Sequence, residues 1–286
     1  MAATNPSWDK FVPCSLFPVP FPNQNVPPYT DNRLANIIAL MAEIYSWLGF
    51  CPPFGYSYSP FARCIMANAI AHRLSSIMTQ AKADLKLYSF DEFISWYPEQ
   101  SDVRYELHDG VIIEMPKPKG KHSNLTGSLI EQLLIVIRQI GKGGIWTIPR
   151  ESIVKPQREK SGYEPDIIVL NQETIGRESR WESESIIQNS DSVKLIVEVV
   201  STNWRDDYYN KLRDYEEMGI EEYWIIDYAA LGARKFIGNP KQPTFFVCNL
   251  VDGEYQMTSF TGNTSIVSPT FPQFNLSAQE IFNLAF

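Results

Sequence analysis

Asp166, Glu198 and Lys211 are the residues of this sequence whose types and surroundings point to chemistry. Glu198 stands inside the apolar run "KLIVEVVS" at residues 194–201, which reads as a buried β-strand. Side chains alternate along a strand, so Ile196, Glu198 and Val200 share one face and Leu195, Val197 and Val199 the other. An ionised carboxylate in such a place costs several kcal/mol unless something neutralises it. Asp166 opens a second run, "EPDIIVL", directly after Pro165. If the two strands adjoin, the carboxylates converge; they then repel each other unless a hard divalent cation sits between them. The third group lies on the helix expected over residues 203–218, "NWRDDYYNKLRDYEEM". At about 100° per residue, Trp204, Tyr208, Lys211, Leu212, Tyr215 and Met218 fall in one stripe with Lys211 near its centre. Arg205, Asp206, Arg213, Asp214 and Glu217 fall outside it, and Asp206 with Asp207 reads as a solvated helix start favoured by the dipole. A helix folded back over the preceding strand brings the Lys211 ammonium toward Glu198. Two carboxylates holding Mg²⁺ or Mn²⁺, with a lysine beside them, meet the needs of metal-assisted phosphodiester hydrolysis. A Glu198–Lys211 ion pair that only fixes register is the structural alternative, and it leaves Asp166 unexplained.

The elements that must position these groups are mixed α and β. Residues 89–97, "SFDEFISWY", predict a short helix with a capping box from Ser89 and Glu92. "RYELHDGVIIEMP" reads as a hairpin about Asp109-Gly110, and "TFFVCNLVDGEYQMTSF" as another about Asp252-Gly253. Residues 122–140 predict an amphipathic helix with Leu125, Leu129, Leu133, Val136 and Ile140 inward, ended by Gly141. Strands are expected around "GIWTIPRESIV", "DIIVL", "LIVEVV" and "YWIID", with Tyr223 and Trp224 in the core. Two apolar runs joined through a helix imply a partly parallel, buried sheet, hence an α/β fold.

Composition sets outer bounds. The chain has 286 residues, and its 44% hydrophobic content is ample for a globular core. A net charge of -8 argues against a general electrostatic clamp on nucleic acid, so any such partner must be met by a local patch. Cys14, Cys51, Cys64 and Cys248 show no paired spacing and read as free thiols in a reducing cytoplasm. No secretory signal is evident, and residues 34–51 carry Glu43 centrally, so that segment reads as a surface helix rather than a membrane span. Residues 1–77 hold only 7 charged residues and ten of the twenty prolines. They read as a poorly ordered extension, possessed only by a product of an upstream start, ahead of a domain at 78–286. No phosphate-binding loop, dinucleotide fingerprint, zinc spacing or serine elbow is present.

The runs "EPDIIVL", "LIVEVVS" and "KLRDYEEMGIEEYWIID", together with "YELHDGVIIEMP", "LVDGEY" and "IVSPTFP", resemble the Uma-type family of restriction-endonuclease-like proteins, within the PD-(D/E)xK nuclease superfamily. The resemblance covers residues 78 to about 285. The usual E-x-K tripeptide is absent, Val200 standing where lysine would be; in this family the lysine has moved to the next helix, where Lys211 matches. The resemblance implies a restriction-endonuclease-like core, a mixed β-sheet flanked by helices, and Mg²⁺-dependent cleavage of nucleic acid, DNA foremost, with Mn²⁺ as a substitute. It further implies that Glu106 is an additional acidic site residue, that the Val199 carbonyl ligates the metal with Asp166 and Glu198, and that His122 touches a phosphate or the site water. A cytoplasmic homodimer, without membrane contact, is the expected setting. A catalytically silent binding or assembly protein of the same fold is the rival, supported by the acidic net charge and the lack of a helix-turn-helix or zinc finger. The basic residues of the loop at 155–163, "KPQREKSGY", read either as phosphate contacts that set specificity or as an ordinary solvated loop.

Overall fold

Alternation in the run around Glu198 decides how the layers form. The computed structural model describes residues 86–98 and 103–286, which belong to one compact unit, Lys86–Phe286. The readings made for residues 1–77, for the 34–51 segment, and for Cys14, Cys51 and Cys64 lie outside the described residues. Strands β3 (Trp146–Thr147), β5 (Ile167–Asn171), β7 (Val193–Val199), β8 (Glu222–Asp227), β9 (Thr244–Val251) and β10 (Glu254–Phe260) form one sheet. Their order is β10-β9-β8-β7-β5-β3. β7 and β8 are parallel and the other neighbours antiparallel. The parallel pair needs a crossover, and the helical segment between these strands supplies it.

Leu195, Val197 and Val199 pack with Leu125, Leu129 and Leu133 of helix α2 (Gly120–Gln139) and with Ile281 and Phe282 of the last helix. Ile196 and Val200 pack on the opposite side with Tyr208, Tyr215 and Met218. Glu198 shares parity with this second set, so it faces the crossover helix. Helix α2 begins two residues earlier than its periodicity suggests, and Ile137 is buried while Ile140 is only partly so.

A smaller layer completes the unit. Helix α1 (Phe90–Trp96) has the expected capping box, with Ser89 accepting from Glu92 N and Glu92 accepting from Ser89 N. The hairpin β1 (Arg104–His108) and β2 (Val111–Met115) forms its own two-stranded sheet. Its turn needs two left-handed residues, and Asp109 and Gly110 take φ of 49° and 89°. "GIWTIPRESIV" does not make one strand: Trp146–Thr147 joins the main sheet, whereas β4 (Ile153–Val154) pairs with β6 (Ile186–Ile187). Pro149 and the left-handed Glu151 lie between them and redirect the chain. Phe90, Phe93, Leu107, Ile153 and Ile186 form the core of this layer. Among the described residues, no helix is long and apolar enough to cross a membrane.

Candidate active site

The antiparallel register of β5 and β7 pairs Ile167 with Val197. One step further along, Asp166 stands across from Glu198. The Asp166 carboxylate closes the ladder there: its Oδ2 accepts the Val199 N–H at 2.8 Å. His122, in the first turn of α2, points Nε2 at the same place, 3.1 Å from Asp166 Oδ2 and 3.2 Å from the Val199 carbonyl. A carbonyl only accepts, so Nε2 is the donor. Proximity to Asp166 and to that carbonyl raises the pKa of His122 despite burial, which alone would lower it.

Lys211 is 2% exposed, so its ammonium is answered by protein rather than by water. Nζ donates to Glu198 Oε1 and to Glu106 Oε1, each at 3.0 Å. Asp207 Oδ1 lies 3.9 Å from the same nitrogen. Tyr215 adds a hydroxyl donor to Glu198 Oε1 at 3.3 Å. Glu106 comes from β1, where parity turns it inward with no exposure. Besides Lys211 it accepts Glu164 N at 3.0 Å and His108 Nε2 at 2.8 Å. Lys211 thus ties three separate elements together: its own helix, the central strand and the β1–β2 hairpin.

Electrostatics distinguishes the carboxylates. Burial would raise Glu106, but Lys211 and His108 reverse this and hold it down at about 2. Glu198 goes the other way: burial pushes it well above the ordinary range, Lys211 opposes this, and Asp166, Asp207 and Glu106 add to it. Asp207 is likewise pushed up, to about 7, first by burial and then by Asp166 and Glu106 against the pull of Lys211. Burial opposes the charge on Lys211, yet the surrounding carboxylates raise its pKa well above normal. Arg104 flanks the group, 3.6 Å from Glu164 and 3.8 Å from Asp166. Acidic groups outnumber cations, which is a field that attracts a further positive charge.

Two expectations about the crossover helix are corrected. Asp207 is not solvated: it is 7% exposed and faces Lys211. Asp214 is not on the solvent side either; it is fully buried, accepting the Tyr163 hydroxyl at 2.6 Å and pairing with Arg158 and Arg213. The cause of the first is a π-helical turn, Asp206–Asn210, ahead of the regular helix Lys211–Met218, which will be called α3. The wider turn carries both Asp207 and Tyr208 inward. In the loop at 155–163, Arg158 is already engaged by Asp109 and Asp214. Arg104, Asp207 and His108 escaped sequence reasoning. Arg104 shares strand parity with Glu106, and Asp207 stands four residues before Lys211, so spacing held a signal for both.

Among the described residues, no three His, Cys, Asp or Glu side chains cluster as a cation cage. The donors that converge are Asp166 Oδ2 and the Val199 carbonyl, both hard oxygens, beside Glu198 and in an acid-rich surrounding. Such donors suit Mg²⁺ or Mn²⁺.

A family model described as "Putative restriction endonuclease", Uma2, matches residues 90–279, about two thirds of the chain. Among solved structures, four chains match. One is the crystal structure of "a putative nuclease belonging to DUF820" from Anabaena variabilis. It shares 21% identity with a TM-score of 0.53, over 69% of this chain and 99% of that one. At that identity the likeness speaks for the fold, the six-stranded mixed sheet with its flanking helices. No curated protein matches.

Proposed function

The chain belongs to the Uma2 family, and from that premise we propose that it is a nuclease hydrolysing phosphodiester bonds of nucleic acid, DNA foremost, with Mg²⁺ or Mn²⁺ held by Asp166, Glu198 and the Val199 carbonyl. The observation that carries the reading is the buried Lys211 ammonium, 3.0 Å from both Glu198 and Glu106 and one strand away from Asp166. When bound, the cation acts as a Lewis acid, lowering the pKa of water and offsetting charge on the phosphate.

The protein's own groups do the rest. Lys211 stays protonated because carboxylates surround it, so it serves as a fixed donor for the attacking water and for developing negative charge, not as a base. Glu106 holds that ammonium in place. Glu198 and Asp207 both lie beside Lys211 and are pushed upward in pKa by burial, so a bound cation would stabilise their charged forms. Arg104, two residues before Glu106 and close to Asp166, faces the phosphate. A duplex has two strands to cut, so a homodimer in the cytoplasm is part of the proposal.

Thermal unfolding with Mg²⁺ or Mn²⁺ tests the reading. Stabilisation of the wild type that disappears in Asp166→Asn is expected. No stabilisation in either protein favours a catalytically silent binding protein of the same fold.

A further inference from the structure

Residues 116–121, "PKPKGK", run from the end of β2 into the first turn of helix α2 and carry Lys117, Lys119 and Lys121. Both ends of this stretch are fixed at Asp166. Met115, just before it, pairs across the hairpin with Arg104, whose guanidinium lies 3.8 Å from Asp166. His122, just after it, lies 3.1 Å from the same carboxylate. The three lysines are therefore strung along the rim of the proposed site. All are exposed, and among the described residues none is within ion-pair reach of a carboxylate. Lys121 Nζ lies 3.8 Å from the centre of the Phe286 ring, a contact that leaves its charge uncompensated. Arg158, Arg177, Arg180 and Lys194, by contrast, each face a carboxylate. No acidic residue occurs between Glu114 and Glu131, in a chain whose net charge is -8. The backbone also keeps the row extended: Pro116 and Pro118 fix their own φ, Lys117 precedes a proline, and Lys119 has φ of -77° and ψ of 157°. Lys117 and Lys119 then stand about 6 Å apart along the chain. This placement works against the helix. The positive end of the α2 dipole repels nearby cations, the first turn holds no acid, and Lys119 at the N-cap offers no side-chain acceptor. An anion bound along the row removes that repulsion.

We infer that Lys117, Lys119 and Lys121 form a docking strip for the phosphodiester backbone of nucleic acid, which extends from Arg104 and leads a strand to the site whatever its base sequence. The inference rests on the nuclease reading above and deepens it, since it says where the substrate enters. Ammonium groups on flexible stems meet phosphates as point charges and read no base edge. An acidic chain needs a local patch to hold a polyanion, and a row free of acids supplies one.

The experiment is fluorescence anisotropy of labelled single-stranded DNA, duplex DNA and RNA with the full chain, divalent ions chelated, over a series of salt concentrations. The triple variant Lys117→Gln, Lys119→Gln, Lys121→Gln should lower the slope of log K against log salt by about two to three on the probe that binds. A control that removes the same charge at the far end of β5 and β7, Lys142→Gln, Arg177→Gln, Lys194→Gln, should keep the wild-type slope. The Tm of the strip variant should equal or exceed that of wild type, because cations leave the positive end of a helix. A strip variant with the wild-type slope, or a control that loses as much, overturns the inference and leaves the nuclease reading standing. Loss of both affinity and Tm in the strip variant assigns the lysines to folding and overturns it too. Failure of the wild type to bind any of the three probes sinks the nuclease reading with it.

Discussion

Lys211 Nζ lies 3.0 Å from Glu106 Oε1, joining the helix after the central strand to a hairpin that forms a sheet of its own. The pair fastens the smaller layer to the main one. Glu106→Ala leaves part of a buried charge unanswered and is expected to cost about 3 kcal/mol. Glu106→Gln, which still accepts from Glu164 N, should cost less. Urea unfolding measures both, and a loss below about 1 kcal/mol for the alanine variant would reduce the contact to the worth of a surface pair.

Stability should also fall on going from mildly acidic to mildly basic pH. Asp207 has its pKa raised from 3.8 to about 7, by burial first, and it faces Lys211, Asp166, Glu106 and Asp206. A raised acid favours folding while protonated: its contribution is full below about pH 4 and is lost as pH rises through 7. Glu198, raised as well, acts in the same direction. Glu106, lowered to about 2, acts oppositely, but its contribution is lost only as pH falls below 4.5. Asp207→Asn keeps that side chain neutral throughout, so its Tm relative to wild type should climb from pH 5 to pH 8. A constant difference would show that Asp207 does not titrate in that window.

Much of this was written locally in the sequence, and what was not depends on distant segments. The Ser89 and Glu92 cap, the Asp109-Gly110 and Asp252-Gly253 turns and the alternation around Glu198 are short-range signals, and each element forms where they place it. The crossover helix is legible in its stripe and its π-helical turn, Asp206–Asn210, is not, although the i,i+4 spacing to Lys211 already places Asp207 beside that ammonium. Asp214 falls outside the apolar stripe, and two of its partners, Tyr163 and Arg158, lie more than fifty residues away, where local spacing gives no sign of them. His108, which carries no functional signal in the sequence, meets Glu106 because strand parity places both on one side of β1.

Gly162 explains how closely the chain passes between helix α1 and the β1–β2 hairpin in the smaller layer. A Cβ there would sit 2.6 Å from Phe90 Cε2, and Gly162 pairs with Leu107 beside Glu106. Gly162→Ala must displace the Phe90 ring or the hairpin, at a cost of about 1–3 kcal/mol. Phe90→Leu should recover part of that loss in the double variant. Simple additivity of the two changes would argue that they do not meet.

Arg104 is expected to read the phosphate backbone. With divalent ions chelated, nucleic-acid affinity of the full chain should fall with salt, and Arg104→Gln should reduce the slope of log K against log salt by about one. An unchanged slope would confine Arg104 to its contacts with Glu164 and Asp166.

Lys211, set against Glu198 and Asp166, is expected to take part in cutting nucleic acid. The most direct test offers the purified full chain single-stranded DNA, duplex DNA and RNA, with Mg²⁺, Mn²⁺ or chelator. Wild type should cleave at least one substrate in a cation-dependent way, and Lys211→Met, verified as folded by circular dichroism, should be slower by at least about a hundredfold. Equal cleavage by Lys211→Met, or none by wild type on any substrate with either cation, would contradict the account.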